Sequence, residues 1–117
     1  MSIRPLLLIT LAFFTLNSHG QTMELAYFKS NQGVSSSKII KAATAMQSTI
    51  SQWQGFVSRE LVQLGDDRWV DIVRWDNEES AQLAVDKAMH STVCLNFFAL
   101  ITSSESDMQH GEIQLVQ

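Results

Sequence analysis

One cysteine in 117 residues, Cys94, leaves no intramolecular disulfide to hold the fold, so stability has to come from packing. Its neighbours Val93, Leu95, Phe97 and Phe98 mark it as a buried small hydrophobe, with a nucleophile or an intermolecular bridge as the alternative. Basic residues are scarce. Eight Lys and Arg against twelve Asp and Glu give a net charge of −4, and the pI is near 5.2. A chain without a basic surplus has nothing with which to neutralise a phosphate backbone, which argues against nucleic-acid binding. No His or Cys pair stands at metal-ligand spacing, and a glycine-rich phosphate loop, a nucleophile elbow and an HExxH helix are all absent. The longest apolar run is short as well: Leu6 to Leu16 is too brief to span a bilayer.

That run has another meaning. Arg4 precedes it, Asn17 to Gly20 follow it, and Ser18 and Gly20 are the small residues a signal peptidase needs for a cut before Gln21. Residues 1–20 are therefore expected to be a signal peptide and residues 21–117 the mature domain, exported to the periplasm or the medium. The competing readings are an uncleaved amphipathic or anchoring helix and an N-terminal core strand. No cysteine stands at the cut to accept a lipid, and no stable membrane insertion is expected after cleavage. Cleavage removes one basic and no acidic residue, leaving seven against twelve and a net charge of −5.

The full chain is 45% hydrophobic, enough apolar area for one folded domain. Met23 to Lys29 reads as a strand, broken by Ser30 to Gly33. From Ser35 to Gln54, Ile39, Ala43, Met46, Ile50 and Trp53 recur at steps of four, three, four and three, the stripe of an amphipathic helix with serines at its start and Gly55 after it. Phe56 to Leu64 and Arg68 to Asp76 are two strand-like runs joined by Gly65, Asp66 and Asp67, a hairpin. In the second run Trp69, Asp71, Val73 and Trp75 share one face and Val70, Ile72 and Arg74 the other, so both faces are expected to be covered. Asn77 then caps a second helix with Glu78 and Glu79 in its first turn and Ala81, Ala84, Val85 and Ala88 on its buried side. Ser91 caps a further helical segment, Thr102 to Asp107 is a polar loop, and Met108 to Val116 returns as a last strand.

The order is that of an α+β, ferredoxin-like split βαβ sandwich with a four-stranded antiparallel sheet. Two helices cover one face of such a sheet, and the mixed apolar character of the other face calls for a partner.

Three segments, WQGFVSREL (Trp53 to Leu61), RWVDIVRWDNEESAQLA (Arg68 to Ala84) and KAMHSTVCLNFFALI (Lys87 to Ile101), resemble the antibiotic biosynthesis monooxygenase-type domain. The resemblance spans nearly all of Met23 to Val116. It implies a homodimeric α/β barrel, two sheets face to face, with a pocket for a small hydrophobic or aromatic molecule between each sheet and its helices. The superfamily's activities include cofactor-independent oxygenation of aromatic polyketides, haem degradation, isomerisation of small acids and stress-associated roles with no established reaction. Fold does not choose among them. The haem-degrading branch has an Asn on the first strand, a Trp on the third and a His on the second helix; here Met23 to Lys29 lacks an asparagine, Trp75 is present, and His90 falls late.

A monooxygenase that uses no cofactor deprotonates an electron-rich phenol or dihydroquinone to a carbanion, which needs a base and an aromatic cradle. His90 and His110 are the candidate bases. Tyr27, Trp69, Trp75 and Phe98 are candidate walls, and Arg74 a candidate holder of a phenolate or carboxylate. Each has a structural competitor: His90 as a helix C-terminal charge, His110 as a solvated strand residue, the tryptophans as core and interface, and Arg59, Glu60, Asp71 and Arg74 as cross-strand charge pairs. A non-catalytic ligand-binding or stress-response dimer is the alternative function. A histidine facing an apolar pocket beside Trp75 favours chemistry, and one exposed on the surface favours binding or structure.

Overall fold

The computed structural model describes residues 20–104 and 107–117, so the expected signal peptide lies outside the described residues except for Gly20. The elements in chain order are β1 (Thr22–Ser30), α1 (Ser36–Ile50), β2 (Phe56–Gln63), β3 (Arg68–Trp75), α2 (Glu78–Ala88), α3 (Thr92–Phe98), β4 (Ile101–Thr102) and β5 (Met108–Glu112). Every strand pairing is antiparallel. The sheet runs β2, β3, β1, and the far edge of β1 is shared by β4 and β5, in a sheet that does not close on itself. This is the α+β ferredoxin-like arrangement. The last strand differs from expectation: it ends at Glu112 instead of Val116, and two-residue β4 takes the other end of the same edge.

Alternation sorts the side chains into layers. The register Thr22↔Trp75, Glu24↔Val73, Ala26↔Asp71 and Phe28↔Trp69 places those eight residues on one face. All three helices pack there: Ile39, Ala43, Met46 and Ile50 of α1, Ala81 and Ala84 of α2, and Cys94 and Phe97 of α3 close over Phe28, Trp69, Val73 and Trp75. Cys94 is fully buried, a small hydrophobe among them.

Local chemistry sets the element ends. Ser35 accepts from the Lys38 N–H at 3.2 Å, Asn77 from the Ser80 N–H at 2.8 Å and Ser91 from the Cys94 N–H at 3.4 Å, so each helix starts on a side-chain cap. Helix α1 ends at Ile50, four residues short of the sequence expectation. The Gln52, Trp53 and Phe56 N–H groups bond back three residues, and Gly55 at φ +83° turns the chain into β2. Trp53 still packs half-buried against the core, which is why it continued the periodicity.

Of the expected charge pairs one is prominent. Arg59 Nε and Nη2 donate to Asp71 Oδ1 and Oδ2 at 2.9 and 2.7 Å, and Nη1 donates to the Ala43 carbonyl at 2.8 Å, tying the β2–β3 hairpin to α1. Arg74 lies on the opposite face, beside Met23, with its Nε buried and without a hydrogen-bond partner.

Candidate functional site

The β5 strand brings His110 directly opposite Glu24 of β1, both pointing to the helix face, and the first turn of α2 passes over them with Glu78. The imidazole sits between the two carboxylates: Nε2 is 3.3 Å from Glu24 Oε1 and Nδ1 is 2.9 Å from Glu78 Oε2. Trp75 Nε1 donates to Glu24 Oε1 at 3.2 Å, and Gln82 Nε2 donates to Glu78 Oε2 at 2.7 Å. Burial pushes the Glu24 carboxyl above its ordinary pKa, opposed by the neighbouring His110 and by the Trp75 N–H. Glu78 moves the other way, held below its ordinary value by hydrogen bonds from His110 and Gln82.

An ionised Glu78 only accepts hydrogen bonds, so its contact with His110 Nδ1 needs the hydrogen on that nitrogen. Nε2 is buried, faces Glu24 at 3.3 Å and has no hydrogen-bond partner.

His110 also lines a cavity of about 700 Å³ between the β1–β5 edge and helices α2 and α3. Ala26, Val85, Met89, Phe98 and Met108 make its apolar walls, Gln82 and Asp107 are polar groups on it, and Tyr27 stands at its side, partly in solvent. The Asp107 carboxylate accepts from the Ser104 backbone N–H at 2.9 Å.

The sequence candidates separate accordingly. His110 and Phe98 come together at this cavity, and Tyr27 borders it at the strand edge while alternating onto the other face of the sheet. Trp75 is fully buried, packed edge-on against Phe56 with ring centroids 5.8 Å apart, and reaches the site only through Glu24. Trp69 stacks on Phe28 at 6.1 Å and borders an adjoining depression of about 500 Å³ with Lys29 and Arg68, not this cavity. Two candidates stand apart. Arg74 is on the other face of the sheet, because strand alternation turns it away from the helices. His90 is exposed beyond the end of α2, its Nδ1 3.0 Å from the Asp86 carbonyl, because the helix stops at Ala88.

Glu24 and Glu78 were not among the candidates. A charge at alternate spacing with Ala26 and Phe28 was the signal for Glu24, since it had to face the helix layer with them. Glu78 reads as a helix-dipole charge, and nothing local shows that His110, 32 residues on, is its partner.

No protein-family model matches the chain, and no curated protein does. Solved structures do match. SnoaB, a cofactor-independent oxygenase from Streptomyces nogalater, aligns with TM-score 0.65 at 16% identity over 85% of this chain and 96% of its own. A candidate antibiotic biosynthesis monooxygenase from Bordetella bronchiseptica gives 0.63 at 13% identity over 85% and 100%. A heme-degrading protein from Mycobacterium tuberculosis gives 0.57 at 12% identity over 86% and 98%. The chain thus has the fold of antibiotic biosynthesis monooxygenase-type domains. At such identities the likeness is one of fold, and the site has to speak for the chemistry.

Proposed function

We propose that the protein binds a small hydrophobic or aromatic molecule in the cavity between α2, α3 and the β1–β5 edge and oxygenates it without a cofactor. The observation that carries this is His110, an ionisable imidazole set in the wall of a largely apolar cavity and gripped from behind by two carboxylates. In the reaction His110 takes a proton from an electron-rich phenol or dihydroquinone, and Glu24 and Glu78 stabilise the imidazolium that forms. The carbanion left behind reduces dioxygen. One oxygen atom stays on the carbon as a carbonyl and the other leaves as water with two substrate hydrogens, one from the phenolic hydroxyl and one from the carbon that is oxidised.

Oxygen uptake with phenolic and quinol substrates tests this. His110→Ala is expected to lower the rate by roughly 10² to 10⁴, the usual worth of a positioned general base. An unchanged rate, or abolition by a chelator, overturns the mechanism. The burial of Nε2 favours a second reading, a non-catalytic binding protein in which His110 is a structural strut. Ligand retained in native mass spectrometry with no oxygen uptake on any such substrate selects that reading.

Two further parts of the proposal concern setting. The protein acts as a homodimer joined through the open sheet face, and it is exported, with cleavage before Gln21. Such a cut removes no residue of the described elements, since β1 begins at Thr22. No helix among the described residues is long and apolar enough to cross a membrane. N-terminal sequencing of exported material should begin within a few residues of Gln21, and an intact Met1 on cytosolic protein overturns export.

A further inference from the structure

Among the described residues, no Lys or Arg borders the cavity or the groove at His110. Among those that line the cavity, the one permanent charge is Asp107. On the other side of the imidazole a groove of about 540 Å³ is bordered by Glu78, Glu79 and Glu112, again without Lys or Arg. Behind it stands Glu24, whose own neighbour Asp71 is already committed to Arg59. The nearest bases along the chain wall, Lys29 and Arg68, border the adjoining depression instead. Among the described residues, the acidic and basic side chains that border the cavity and the groove, Asp107, Glu78, Glu79 and Glu112, are all carboxylates.

We infer that this site selects uncharged, hydroxyl-bearing aromatic ligands and rejects their carboxylate counterparts. The inference rests on the ligand-binding reading above and adds to it which charge state is taken. An uncharged hydroxyl can donate to the Asp107 carboxylate on the cavity wall. A carboxylate has no donor to offer, loses its hydration on entering apolar walls, and meets negative charge from both sides. A single like charge about 8 Å away at the effective dielectric of a protein surface is enough for a discrimination of roughly tenfold or more.

The test compares 1-naphthol with 1-naphthoate, nearly the same shape with and without charge at neutral pH, by titration calorimetry on the full mature protein. Naphthol is expected to bind at least about tenfold more tightly. Gln82→Lys, which places a cation on the exposed side of α2 at the cavity, should tighten naphthoate binding while Val85→Trp, which fills the cavity, removes naphthol binding. A gain of binding is not a result that misfolding produces. Equal affinity for the two ligands overturns the charge selection and leaves the cavity reading intact. Binding of neither overturns both, and naphthol binding that survives Val85→Trp removes the cavity from the account.

Discussion

The two carboxylates beside His110 shift in opposite directions, and those directions predict how stability follows pH. Glu24 is held above its ordinary value of 4.5, so the folded protein keeps a proton that the unfolded chain releases. Its contribution is fully present below 4.5 and is lost as pH rises through the raised value. Glu78 is depressed, so its contribution is present above 4.5 and is lost as pH falls through the lowered value. Stability should therefore rise through Glu24 on mild acidification and fall through Glu78 on stronger acidification. In Glu24→Gln the first limb is expected to vanish relative to the parent, and denaturant midpoints measured across the acid range show it. A difference curve with no slope between 4.5 and neutrality would mean that Glu24 is not protonated in the fold. The sequence exposed the identity of His110 as a candidate base but not its surroundings. Its environment is built from β1, β5 and α2, and only tertiary pairing brings Glu24 and Glu78 to its two nitrogens.

The elements were the most legible part of the chain, because caps and periodicity are local. Asn77 with Glu78 and Glu79, and Ser91 before Cys94, marked two helix starts that the structure keeps. The helix stripe in α1 was readable from Ile39 to Ile50, and it misled at Trp53 because a residue in a following turn can pack in line with the stripe without being helical. The end of β5 was unreadable for a different reason. Strand patterning continues through Leu115 and Val116, but β1, its ladder partner, begins at Thr22, which already pairs with Glu112. Between elements, the Arg59–Asp71 pair is the polar joint of the hairpin with α1, with side chains 4% and 10% exposed. Removing one member of such a pair leaves a buried charge without compensation, so Asp71→Ala is expected to cost about 3–5 kcal/mol. The double variant Arg59→Met with Asp71→Leu should recover most of that loss in chemical denaturation. A cost under about 1 kcal/mol for the single change would show the pair to be solvated like a surface bridge.

At the scale of the molecule the sheet has two faces and helices enough for one. Met23, Leu25 and Tyr27 of β1, Val62 of β2 and Val70 and Ile72 of β3 alternate onto the face the helices leave open. The chain past β5 adds Leu115 and Val116, 74% and 66% exposed, and a groove with Met23, Leu25 and Arg74 runs beside them. A contiguous apolar face of this kind, set around a guanidinium Nε that has no partner, is stable when another surface covers it. The proposed homodimer would meet that need, with a second copy presenting its own identical face about a two-fold axis. Ile72 is the residue to change. It sits on the central part of β3, and a two-fold arrangement would put Ile72→Glu and its symmetry mate into one buried interface, where neither carboxylate has a partner. Sedimentation velocity at micromolar concentration should show the parent as a dimer and the variant as a folded monomer with helix content retained. Leu83→Glu is the control: Leu83 is 42% exposed on α2, on the helix side, and the same charge there should leave the dimer whole. A parent that sediments as a monomer, or two variants that dissociate alike, would assign the open face to some other cover.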